Sequence, residues 1–144
     1  MTEISFYFNV PSRAGYACRL LRKARRQGLG LVVAGARENL LELDTELWSF
    51  DPSEFVPHDW VEHASRVPGR LRAATVWLAS DPLQAPVHDA LLNLGHAAPP
   101  GYETFARLFE VVSTEEADRA AARERWKGYT RRGYPIKTYE VAAS

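Results

Sequence analysis

Hydrophobic and polar positions along the first part of the chain alternate between strand-like runs and helical periods. Residues 4–10 are rich in aromatic and β-branched side chains, and the Pro11-Ser12 pair after them combines a strand stop with a helix-capping residue. A helix is predicted next, which Gly28 is placed to end, with an apolar face made of Ala14, Ala17, Cys18, Leu21 and Ala24. Residues 29–34 form a short apolar run between glycines, which is typical of a buried parallel strand. Strand, helix and strand within about thirty residues predict a βαβ unit.

The rest of the chain predicts more elements of the same kind. They are a helix at 38–48 and strands at 74–79 and 87–94. A further helix is predicted at 102–112, where helical spacing is kept by Phe105, Leu108, Phe109 and Val112. A last helix should begin at Ser113 or Thr114 as cap, because acidic residues follow in its first turn. No repeat or long linker divides residues 1–144, so we expect one three-layer α/β domain. Its mostly parallel sheet should be flanked by helices, in a mononucleotide-binding-like topology.

Composition limits the classes of partner and compartment. The 144 residues carry 18 Lys and Arg against 18 Asp and Glu, so the formal net charge is zero. A protein that coats DNA is usually basic overall, and any contact with nucleic acid is therefore expected to be local or indirect. The single cysteine cannot form an intramolecular disulfide, and no apolar run approaches the roughly 18 residues of a membrane span. We expect a soluble, cytoplasmic protein that does not contact a membrane.

The sequence contains no recognisable catalytic, cofactor or metal site. The turn after the first strand, residues 10–15, lacks the glycine patterns that hold phosphate, so no phosphate loop and no cofactor are predicted. His58, Asp59, Glu62 and His63 lie close together, but no third metal ligand can be named for them. A buried Cys18 would also have no activating partner. We therefore do not predict an enzyme.

The segment near the C-terminus carries an unusual excess of positive charge. Residues 119–137 contain seven cations and one acidic residue. On a helical wheel, one side is formed by Arg119, Arg123, Trp126, Lys127 and Thr130. Cations beside an indole suit an acidic peptide that ends in a hydrophobic residue, and single-stranded nucleic acid would suit them too. A third interpretation is that Trp126 and Tyr129 point into the core and the arginines are merely solvated.

Two other segments are candidate contact surfaces, one because of its positive charge and one because of its aromatic residues. The first predicted helix collects Arg19, Arg22, Lys23 and Arg26 on one face, which is usually a solvated surface but could contact phosphate. Direct binding of single-stranded nucleic acid through this helix and the last one is the alternative function. The segment 49–60 carries two prolines and three aromatic residues, and exposed aromatics on a loop indicate an interface.

Short motifs in these segments resemble a known family. They are Leu-Asp-Thr-Glu-Leu-Trp at 43–48, Phe-Val-Pro-His at 55–58, and Ala-Arg-Glu-Arg-Trp-Lys at 122–127 with Tyr129, Gly133 and Tyr134 after it. With Phe-Tyr-Phe at 6–8 and the overall length, the chain is similar to the chi subunit family of bacterial DNA polymerase III holoenzyme, a component of the clamp-loader assembly. The resemblance covers nearly the whole chain.

The resemblance implies a non-catalytic accessory role in DNA replication. Such proteins bind the acidic, phenylalanine-ended C-terminal tail of single-stranded DNA-binding protein, and so contact DNA mainly indirectly. The residues implied for the tail site are Arg119, Arg123, Trp126, Lys127 and Thr138. A second site, for the psi subunit or a related helicase partner, is implied at Trp48, Phe55, Val56, Pro57 and His58.

Overall fold

The computed structural model describes residues 1–49, 56–72 and 75–141. The strands are β1 (Glu3–Val10), β2 (Leu31–Ala34), β3 (His58–Trp60), β4 (Val76–Ala79), β5 (Ala90–Asn93), β6 (Arg107–Ser113) and β7 (Ile136–Glu140). The α-helices are α1 (Arg13–Arg26), α2 (Arg37–Ser49), α3 (Gly69–Arg72) and α4 (Glu116–Arg131). Short 3-10 helices lie at Val61–Arg66, Pro82–Gln84 and Tyr102–Thr104.

The seven strands form one sheet in the order β3-β4-β2-β5-β6-β1-β7. Neighbouring strands are parallel at every described pairing, which confirms the predicted parallel sheet. All residues of β2, β4 and β5 are buried. Such continuous burial is expected for strands that are covered on both faces.

Helices cover the sheet on both sides, so the predicted three-layer arrangement is confirmed. The apolar faces of α1 and α2 pack with β2 and β5 residues such as Val33 and Leu92. On the opposite face, Ala122 and Tyr129 of α4 pack with residues such as Phe6. Among the described residues, no helix combines the length and the apolar character needed to cross a membrane.

The first βαβ unit follows its local signals closely. The Ser12 side chain caps α1 by accepting a hydrogen bond from the Gly15 amide at 3.2 Å. Gly28 follows the last turn with a φ of 75°, a left-handed conformation that glycine adopts without strain. Cys18 lies fully buried on the apolar face, and burial raises the pKa of its thiol to about 11. The thiol therefore packs as a small apolar group at neutral pH.

The predicted helix at 102–112 is wrong. A 3-10 turn spans Tyr102–Thr104 and strand β6 begins at Arg107, pairing with both β1 and β5. Because β6 lies inside a sheet that is covered on both faces, apolar residues are needed on both its sides. Its buried Leu108, Val111 and Val112 therefore reproduced the spacing of a helical face.

Other boundaries differ from the sequence prediction in smaller ways. The strand at 87–94 is confirmed but shorter. The predicted strand at 74–79 begins at Val76, because Thr75 is not part of it, while residue 74 lies outside the described part of the chain. Strands β3 and β7 were not predicted. Ser113 ends β6, and Glu115 is the N-cap of α4 without a side-chain cap bond, so the predicted Ser113 or Thr114 cap is wrong.

Candidate functional site

The exposed side of α4 and strands β1, β6 and β7, at one edge of the sheet, together form a small pocket. Its volume is about 210 Å³, and we call it the α4 pocket; it is lined by Phe6, Phe8, Val112, Arg119, Ala122, Arg123, Trp126 and Thr138. The α4 residues recur at intervals of three or four, so they lie on one stripe of the helix. Because Phe6 and Thr138 are register partners, β1 and β7 supply the pocket wall that faces this stripe.

Aromatic side chains form the floor of the α4 pocket. The Trp126 and Phe6 ring centroids are 5.2 Å apart with an interplanar angle of 55°, and the Trp126 side chain remains partly accessible, with 37% of the residue exposed. Trp126 is thus both packed on the core and open to a ligand. Tyr129 is different, because it is only 1% exposed and belongs to the core.

Two arginines border the apolar floor. Arg123 Nη2 donates a hydrogen bond of 2.8 Å to Glu116 Oε1, and both side chains are largely exposed. This hydrogen bond lowers the pKa of the Glu116 carboxyl below its usual value. An exposed ion pair of this kind stabilises a protein little, so a ligand carboxylate could replace Glu116 at small cost. Arg119 is exposed on the same stripe of α4.

The structure brings together four of the five residues implied for the tail site, Arg119, Arg123, Trp126 and Thr138. Lys127 does not line the pocket, and its Nζ lies 3.4 Å from Glu124 Oε1 on the same helix. Phe6 and Phe8 of β1 were not expected at this site. Their alternation with Tyr7 in a strand was visible in the sequence, but the position of the strand beside α4 was not.

A buried polar network fixes the rotation of α4. The Arg125 side chain is 4% exposed and its Nε lies 3.1 Å from Oε2 of Glu110, whose side chain is fully buried. Arg125 Nη1 donates to the His96 carbonyl at 2.7 Å, and the Tyr129 hydroxyl donates to Glu110 Oε2 at 2.6 Å. Burial raises the pKa of the Glu110 carboxyl, whereas the Arg125 charge opposes that shift. One cation of the basic segment is therefore neutralised inside the protein, which the charge count could not reveal.

The residues implied for a second partner fall into two groups. Trp48 is 66% exposed at the end of α2, and its ring centroid lies 5.2 Å from the His58 ring in an edge-on arrangement. Val56 and the side chain of His58 are buried, and Pro57 is half-buried. Phe55 lies outside the described residues. Among the described members of this set, Trp48 therefore provides the main exposed surface.

Hydrogen bonds hold His58 beneath Trp48. His58 Nε2 lies 2.7 Å from Asp44 Oδ1, and Nδ1 lies 2.8 Å from the Val56 carbonyl oxygen. Asp44 and Trp48 are one helical turn apart on α2, so the same turn positions the imidazole and the indole. Within the described ranges, no three metal-ligating side chains are grouped closely enough to hold an ion.

By its fold, the chain is an open-sheet α/β protein with all-parallel strands, and its most distinctive surface is a cationic pocket with an aromatic floor. The sequence model of the family "DNA polymerase III chi subunit, HolC" matches residues 1–137. DNA polymerase III subunit chi of Pseudomonas aeruginosa is 35% identical over 147 residues, covering 98% of each chain. The Haemophilus influenzae protein of the same name is 32% identical over 126 residues, covering 87% of this chain and 85% of its own length. The chain belongs to the DNA polymerase III chi subunit family.

Proposed function

We propose that this chi-family protein acts in DNA replication as a non-catalytic adaptor of DNA polymerase III. In this proposal the α4 pocket binds the acidic C-terminal tail of single-stranded DNA-binding protein and thereby joins the clamp-loader assembly to the coated template. The observation that supports it most is the joint presence of Arg119, Arg123 and Trp126 around one cavity of about 210 Å³. Cations for carboxylates and a dry aromatic wall are the two features that an acidic tail with an aromatic end requires.

The size of the pocket fits one large side chain. Burying a phenylalanine ring on the Phe6 and Trp126 rings would contribute about 2 kcal/mol, because this is the usual gain for full burial of such a side chain. Charge-assisted hydrogen bonds from Arg119 and Arg123 to tail carboxylates would add specificity and a dependence on salt. We therefore expect weak binding that declines as ionic strength rises.

The test measures binding of a synthetic tail peptide by calorimetry or fluorescence anisotropy. Arg123→Ala should weaken binding about tenfold, equivalent to about 1.4 kcal/mol, because a carboxylate loses its charged donor. Arg131→Ala is the matched control, since Arg131 is an exposed arginine of α4 that does not line the pocket. Removal of the terminal phenylalanine from the peptide should weaken binding to the wild type and leave little difference between the wild type and Trp126→Ala.

Equal peptide affinities for the Arg123→Ala and Arg131→Ala variants would contradict the proposed tail site. Lys127→Ala gives a finer comparison. Because Lys127 pairs with Glu124 rather than lining the pocket, its replacement should weaken peptide binding less than Arg123→Ala does.

For the second surface, we propose that Trp48 is the main contact for the psi subunit or a related helicase. Leu41 lies two helical turns before Trp48 and is 46% exposed, so α2 presents two exposed apolar side chains on one side, with Thr45 between them. Scattered apolar residues are normal on a surface, but tryptophan is enriched among the hot spots of protein interfaces. Trp48→Ala should abolish co-purification of that partner and leave tail-peptide affinity unchanged. Retention of the partner by the Trp48→Ala variant would contradict this assignment.

A further inference from the structure

A second groove lies on the face of the sheet opposite the α4 pocket. We call it the α1–β7 groove. Its volume is about 270 Å³, and the side chains on which the inference depends are Tyr7, Lys23, Arg107, Lys137 and Tyr139. One wall comes from Leu20, Lys23 and Ala24 of α1, and strands β1, β6 and β7 supply the other. Four of the five residues of β7 are exposed.

The alternation of side chains along β1 and β7 separates the two sites. Phe6 pairs in register with Thr138, and both line the α4 pocket. The neighbouring register pairs, Ser5 with Lys137 and Tyr7 with Tyr139, line the α1–β7 groove. Since successive residues of a strand point to opposite faces, the two sites lie back to back across one sheet edge.

Stacked tyrosines form one part of the groove. The Tyr7 and Tyr139 ring centroids are 5.0 Å apart with an interplanar angle of 15°, so the rings are nearly parallel. Tyr139 is the outer ring and is 44% exposed. Tyr16 supports Tyr7 from α1 at a centroid distance of 5.6 Å. This arrangement holds an exposed aromatic ring in a fixed orientation, which is what stacking of a nucleobase requires.

Three cations form the other part of the groove. Lys23 comes from α1, Arg107 from β6 and Lys137 from β7, and all three are exposed. Within residues 1–49, 56–72 and 75–141, no hydrogen bond or ion pair involves the side-chain cationic group of any of the three. Of the described residues that line the groove, Glu3 alone is acidic. The groove therefore has excess positive charge in a protein whose total charge is zero.

We propose that the α1–β7 groove binds a short stretch of single-stranded nucleic acid. Phosphates lie against Lys23, Arg107 and Lys137, and a base stacks on Tyr139. A positively charged groove lined with aromatic rings is the usual platform for single strands without sequence preference. An acidic peptide would also find charge here, but polar side chains such as Ser5 and Gln27 and the three cations make up much of this lining, whereas apolar and aromatic side chains dominate the α4 pocket on the other face. The inference does not depend on tail binding, because the two sites share no side chain.

The test is a fluorescence anisotropy titration of a labelled oligothymidylate of about 15 nucleotides at low salt. Wild type should bind with a salt slope of about −2, as expected for three phosphate contacts. Lys23→Glu/Lys137→Glu should weaken binding tenfold or more, at about 1.4 kcal/mol per factor of ten. The matched control is Arg66→Glu/Arg70→Glu, which changes net charge equally at exposed positions near β3 and β4, far from the groove. It should weaken binding less than about threefold.

Two further variants separate stacking from charge and one face from the other. Tyr139→Ala should weaken oligonucleotide binding at least about fivefold, since base stacking on an aromatic residue contributes that much or more. Arg123→Ala should leave oligonucleotide binding unchanged, and Lys23→Glu/Lys137→Glu should leave tail-peptide binding unchanged. These cross-comparisons keep failure of the groove distinct from failure of the α4 pocket.

Three results would overturn the inference. The first is no binding of the oligonucleotide by wild type at low salt. The second is equal loss of binding in the two charge-reversal variants, which would indicate only a non-specific electrostatic attraction. The third is displacement of the oligonucleotide by an acidic peptide from wild type and Arg123→Ala alike, which would identify the groove as a peptide site.

Discussion

Replacement of Arg125 by Met provides a sharp test of how α4 is held on the sheet. The change removes the buried guanidinium group and keeps an unbranched apolar stem. Arg125 Nε and Glu110 Oε2 are 3.1 Å apart, and the two side chains are 4% and 0% exposed. At an effective dielectric constant of about 20, unit charges at that distance attract by about 5 kcal/mol. Because Glu110 would remain buried without its partner, we expect the free energy of unfolding to fall by about 3–5 kcal/mol.

The assay is urea denaturation followed by circular dichroism, with the double variant Glu110→Gln/Arg125→Met as the informative comparison. Glutamine removes the charge, and its single carbonyl oxygen can still accept the hydrogen bond that the Tyr129 hydroxyl donates to Glu110 Oε2 in the native protein. The double variant should therefore be more stable than Arg125→Met alone. The reasoning is refuted if the single variant loses less than about 1 kcal/mol or if the double variant is the less stable of the two.

The free energy of unfolding of the single variant Arg125→Met should depend on pH in a defined direction. Burial raises the pKa of the Glu110 carboxyl, and the Arg125 charge lowers it, so loss of Arg125 raises this pKa further. A raised pKa in the folded state means that stability is greatest below the unfolded-state pKa and is lost as pH rises through the folded-state pKa. The stability deficit of Arg125→Met should therefore be smaller at about pH 5 than at about pH 8. A deficit that grows on acidification would contradict the assignment of a buried, unpaired carboxylate.

Three further experiments test the cap of α1, the Tyr129 hydrogen bond and the burial of Cys18. Ser12→Ala removes the α1 cap bond to the Gly15 amide and should lower the free energy of unfolding by about 1 kcal/mol in thermal melts, whereas no change would argue against the cap. Tyr129→Phe removes a hydrogen bond to the Glu110 carboxylate and should cost about 1.5–3 kcal/mol in urea denaturation, with a strongly non-additive effect when combined with a Glu110 change. The buried Cys18 thiol, whose pKa is raised to about 11, should react with a thiol reagent at neutral pH only after denaturation, and rapid reaction in the native protein would contradict its burial.

The sequence predicted the elements whose signals are local. The N-terminal βαβ unit was predictable because Ser12 caps α1 and Gly28 ends it, and both effects act within a few residues. The stripe of Arg119, Arg123 and Trp126 on α4 was predictable for the same reason, since helical spacing alone puts these residues on one side.

Features that depend on tertiary neighbours were not predictable in the same way. The apolar residues of β6 have the spacing of a helical face, because this strand lies between β1 and β5 and is covered on both faces by elements distant in sequence. The pairing of Arg125 with Glu110 and the contribution of Phe6 to the α4 pocket both require that α4 lies across β6 and β1. A helical wheel also cannot separate Lys127, which pairs with Glu124, from the arginines that line the pocket.

Strand β7 has a consequence beyond the two sites that it borders. It is the last strand of the sheet, and it occupies the backbone hydrogen-bonding groups on the outer side of β1. Without β7, the eight-residue β1 with its aromatic run at 6–8 would become an exposed edge, and long apolar edges are templates for pairing with other chains. The native edge is instead short and carries Lys137 and Glu140, which oppose such pairing. The final strand therefore also covers an aggregation-prone edge, so truncation before Ile136 should produce aggregates rather than a protein that stays in solution.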